Sequence, residues 1–122
     1  MNAILALGAR YSDLPEARKH KDNPFTAGDH FYEEAQRLLG YEDVPSLTKV
    51  QALGLMSLRQ ASCGNDMSGW HLSRLAMRTA LDLGLHMVDS QDRRADRLLH
   101  SNPERQVSAA TFWGCYTLEQ FV

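Results

Sequence analysis

The chain has 122 residues, 43% hydrophobic and 23% charged, with a formal net charge of −2. This is an ordinary balance for one soluble globular unit or part of one, with enough chain to bury a core. A net negative balance argues against a segment that grips nucleic acid by itself, since phosphate binding needs a basic surface. No apolar run is long enough to span a bilayer, so no membrane partner is expected.

The predicted elements are helical nearly throughout. Residues 2–12 place Ile4, Leu5, Leu7 and Tyr11 in a short apolar helix with no cap before it. Residues 13–28 carry Pro15 and Pro24 and read as a loop. A second helix fits 29–39, with Asp29 as N-cap, Phe31, Tyr32, Ala35, Leu38 and Leu39 as its apolar face, and Gly40 as its end. Ser46 caps a third helix carrying Leu47, Val50, Leu53, Met56 and Leu58, which stops near Cys63-Gly64-Asn65. Connections this short join antiparallel neighbours.

The fourth helix spans about Met67 to Leu83, with Asp66 as a cap. His71, Arg74, Arg78 and Asp82 form one narrow polar stripe. Trp70, Leu72, Leu75, Ala76, Ala80, Leu81 and Leu83 cover most of the rest, which predicts a mostly buried helix. Residues 88–103 read as a charge-mixed surface loop containing the run Asp92-Arg-Arg-Ala-Asp-Arg97. A fifth helix opens at Pro103 or Glu104 and runs through Phe112, Trp113, Gly114, Cys115 and Tyr116 to the end. Neither end of the chain carries a start or stop signal, so both are expected to be cut. The sum is an all-α chain: an antiparallel array of about five helices, truncated at both ends.

Candidate chemistry is sparse. Cys63 and Cys115 form no Cys-x-x-Cys pair, and the five histidines stand at no metal-binding spacing with a carboxylate, so no metal and no cofactor is expected in this segment. No catalytic motif occurs, and the chain is read as not an enzyme. His86 follows Gly84 and Leu85. Gly84 stands where a helix needs positive φ to stop, with Leu85 folding back toward Thr79 and Ala80, which makes His86 part of a helix end rather than a ligand. The Phe112–Tyr116 cluster reads as core, with Phe112 and Tyr116 stacked one turn apart. Cys115 reads as an inert buried thiol.

Three ordered stretches point to a family. They are Val50-Gln-Ala-Leu-Gly-Leu-Met-Ser57; Gly69-Trp70 followed by Ala76-x-Arg78-x-Ala80-Leu-Asp82-Leu-Gly84-Leu-His86; and Thr111-Phe112-Trp113-Gly-Cys-Tyr-Thr-Leu118. Together they resemble the fungal-specific transcription factor domain, the helical middle region of fungal zinc-cluster regulators. Residues 2–12 and Gly28-Asp-x-Phe-Tyr-x-x-Ala35 resemble its earlier helices. The chain departs from the family pattern at Arg74, where a small residue is usual, at Ser108–Ala110, and at Glu119-Gln120.

The resemblance implies a partial regulatory domain whose motif residues are Trp70, Arg78, Asp82, Gly84, His86, Phe112 and Trp113. The parent would be a nuclear regulator of RNA polymerase II transcription, binding DNA through a six-cysteine zinc cluster N-terminal to this segment. Zinc and DNA contact would belong to that missing module. The middle region would act on other parts of the parent, on a homodimer partner, or through a small-molecule effector. The alternative is a helical-repeat protein–protein interaction scaffold with no transcriptional role.

Overall fold

The computed structural model of the chain describes residues 1–87 and 103–122. The expected surface loop, with its charged run at 92–97, lies outside the described residues except for Pro103. Among the described residues five α-helices are present: α1 (Asn2–Gly8), α2 (Asp29–Gly40), α3 (Leu47–Ser62), α4 (Asp66–Asp82) and α5 (Pro103–Phe121). Among the described residues there is no strand, only an isolated bridge between Arg18 and Ala27. The all-α class holds.

The helix boundaries follow local chemistry. Ser46 caps α3 through its side-chain oxygen, which accepts from the Lys49 N–H at 3.1 Å. At the other end, Asn65 N–H reaches the Gln60 carbonyl at 2.9 Å and Gly64 N–H reaches that of Ala61 at 3.0 Å. This paired closure satisfies the last carbonyls of α3. Gly84 follows α4 with φ +70, and Leu85 then packs into the core beside Ala76, Ala80 and Cys115.

Two expected caps are corrected. Gly28, with φ +79, is the N-cap of α2, and Asp29 is the first helical residue. Asn65, not Asp66, precedes α4, and it makes no side-chain capping bond. The segment 13–28 is not a free loop. It holds two 3₁₀ turns, Pro15–Ala17 and Pro24–Thr26, tied by Lys19 N–H to the Thr26 carbonyl (3.1 Å) and Gly28 N–H to that of Ala17 (2.9 Å).

Contacts fix the directions. Ala6 lies against Gly28, while Met1 and Ala3 share a cleft with Leu38 and Leu39, so α1 and α2 are antiparallel. Ser57 meets Gly69 across α3 and α4. Val122 lies beside Gly69, and Phe112 beside His86, so α5 runs back along α4. Gln51 donates to Thr111 at 3.0 Å and Leu118 touches Gly54, which sets α5 parallel to α3. Helix α3 is the hub: α1, α2, α4 and α5 all pack on it.

The core forms two clusters. One joins Val50, Leu53, Ala76, Ala80, Leu85 and Cys115; the other joins Ala3, Ala6, Tyr32, Ala35 and Met56. Small residues set the close contacts, and this corrects several sequence expectations. On α1 the alanines Ala3 and Ala6 are buried, while Ile4 and Leu5 are exposed. On α4 the buried face is Gly69, Ser73, Ala76, Thr79 and Ala80. Trp70, Leu75 and Leu81 are 37%, 47% and 45% exposed, so α4 is half-buried rather than mostly buried. The physical reason is distance. A Cβ at Gly69 would lie 3.1 Å from the Ser57 carbonyl oxygen and 3.3 Å from the Ala61 nitrogen. Helices this close leave no room between them for Leu or Trp.

Candidate functional site

The structure distributes the sequence motif over two regions. At the start of α4, Trp70 packs edge-on to His71, with ring centroids 5.2 Å apart, and the Arg74 guanidinium lies 4.8 Å from the Trp70 ring centroid. At the far end, His86 sits on the 3₁₀ turn Leu85–Met87, exposed, with its ring centroid 6.4 Å from that of Phe112. Phe112 packs partly against the core, edge-on to Trp113 at 5.6 Å. Arg78 and Asp82 lie on the exposed side of α4 between these ends.

The aromatic cluster of α5 is not all core. Trp113 is 53% and Tyr116 45% exposed, and these two pack on each other at 5.8 Å. Only Cys115 of α5 is fully buried. Burial raises its thiol pKa above the ordinary range, which disfavours the reactive thiolate.

A second polar constellation was missed by sequence reasoning. Arg59 of α3 is 4% exposed. Its guanidinium pairs with the Asp29 carboxylate at the start of α2, donates to Gln60 Oε1 at 3.0 Å, and stands 4.8 Å from the Tyr32 ring centroid. Burial raises the Tyr32 pKa, and the positive charge of Arg59 partly opposes it. Arg59 follows Met56 by three positions on the apolar side of α3, the signal that would have found it. The position of Asp29 on the first turn of α2 further favours a carboxylate there.

Among the described residues, two open clefts flank α5. One lies between α4 and α5, about 660 Å³, with His71, Arg74, Leu75, Arg78, Leu81 and Glu119 on its walls. The other, about 310 Å³, lies between α3 and α5 and is nearly all apolar, bounded by Val50, Leu55, Leu58, Gly114 and Leu118. Neither has a nucleophile paired with a base. Among the described residues no group of three or more His, Cys, Asp or Glu could hold a metal ion. With two cysteines, the chain does not fit a six-cysteine zinc cluster.

The whole chain, residues 1–122, matches the model of the fungal-specific transcription factor domain. The chain belongs to that family. It is 42% identical over 98% of its length to the nitrogen assimilation transcription factor nirA of Emericella nidulans. It is 39% identical, again over 98%, to the nitrogen assimilation transcription factor nit-4 of Neurospora crassa. It is 24% identical to the TY1 enhancer activator of Saccharomyces cerevisiae, over 98% of the chain and 15% of that protein. The chain spans only 13% of nirA and 11% of nit-4. No solved structure matches it.

Proposed function

We propose that this chain is a regulatory middle region of a fungal transcription regulator that controls nitrogen-assimilation genes. The observation that carries the reading is the 42% identity to nirA across 98% of the chain. The helical array, with open clefts and no catalytic pair among the described residues, suits a module that responds to contacts rather than one that turns over a substrate. In this reading DNA contact and zinc belong to another part of the parent, because this chain lacks the cysteines for the cluster. The parent acts in the nucleus. The middle region adjusts its activity through other parts of the parent, a homodimer partner or an effector.

The test is transcript profiling of the source organism on two nitrogen sources, with and without the gene that encodes this chain. The expected outcome is a nitrogen-dependent set of transcripts that loses its response in the deletion strain. Unchanged transcripts on both sources would overturn the reading. A fluorescent fusion of the full-length product, expected to accumulate in the nucleus, tests the location separately.

A further inference from the structure

We draw no further inference here: the strongest candidate, the open apolar groove between α3 and α5 bounded by Leu55, Leu58, Gly114 and Leu118, is an unpartnered face, and nothing in the structure shows what covers it.

Discussion

The buried guanidinium of Arg59 on α3 forms an ion pair with Asp29, the first residue of α2. It thereby ties the end of α3 to the start of α2, beside the buried ring of Tyr32. Removing the carboxylate leaves a buried charge with only neutral partners. Asp29→Ala is expected to destabilise the chain by about 3 kcal/mol, whereas the double change Asp29→Ala with Arg59→Met recovers most of that loss. Urea midpoints of the three proteins check this. An Asp29→Ala variant as stable as the parent would show that the pair contributes nothing.

Gly84 and Gly28 both have positive φ, yet their substitution has unequal consequences. A Cβ at Gly84 meets nothing within 4 Å, so Gly84→Ala carries only the backbone penalty, about 1 kcal/mol. A Cβ at Gly28 collides with the Ala6 carbonyl oxygen. Gly28→Ala must therefore push α1 away from α2 and is expected to cost about 3 kcal/mol or more. Thermal melts of the two variants should rank Gly28→Ala well below Gly84→Ala.

Gly69 sits where α4 lies close against the backbone of α3, and the buried Ser57 hydroxyl donates to its carbonyl at 2.8 Å. Gly69→Ala gains helix propensity of about 1 kcal/mol but loses more by separating the helices, for a net cost of about 1–2 kcal/mol. A gain in melting temperature on this substitution would mean that α4 shifts freely along α3.

Tyr32 gives a pH dependence with a defined sign. Its hydroxyl pKa is raised in the folded chain, chiefly by burial. The unfolded chain therefore releases that proton first, near the ordinary value of about 10. The contribution is fully present below that pH and is lost as pH rises from there through the folded pKa. Tyr32→Phe is expected to flatten the fall in melting temperature above about pH 10. Parallel curves for the parent and Tyr32→Phe across that range would contradict this.

The five helices were legible because their signals are local: Ser46 before an apolar period, Gly64 and Gly84 after one, proline at the start of α5. Which residues each helix buries was less legible. Hydrophobic size ranks Ile4, Leu5, Trp70 and Leu75 as core, but the closeness of the helices selects Ala3, Ala6, Gly69 and Ser73. That distance is a property of pairs of helices and is not written in either one alone. The spacing Gly69–Ser73 and Ala76–Ala80 was the available hint, small residues one turn apart on one side of α4. Arg59 was missed for the converse reason. A charge in an apolar row is normally assigned to the surface, and its partner Asp29 is thirty residues away.

Helix α5 borders both clefts through adjacent residues: Leu118 faces the apolar one and Glu119 the one lined by Arg74 and Arg78. It buries only one residue fully, fewer than α2, α3 or α4. Any sideways displacement of α5 that opens one cleft narrows the other. The two clefts are therefore not independent in shape: a substitution that alters the packing of α5 alters the width of both.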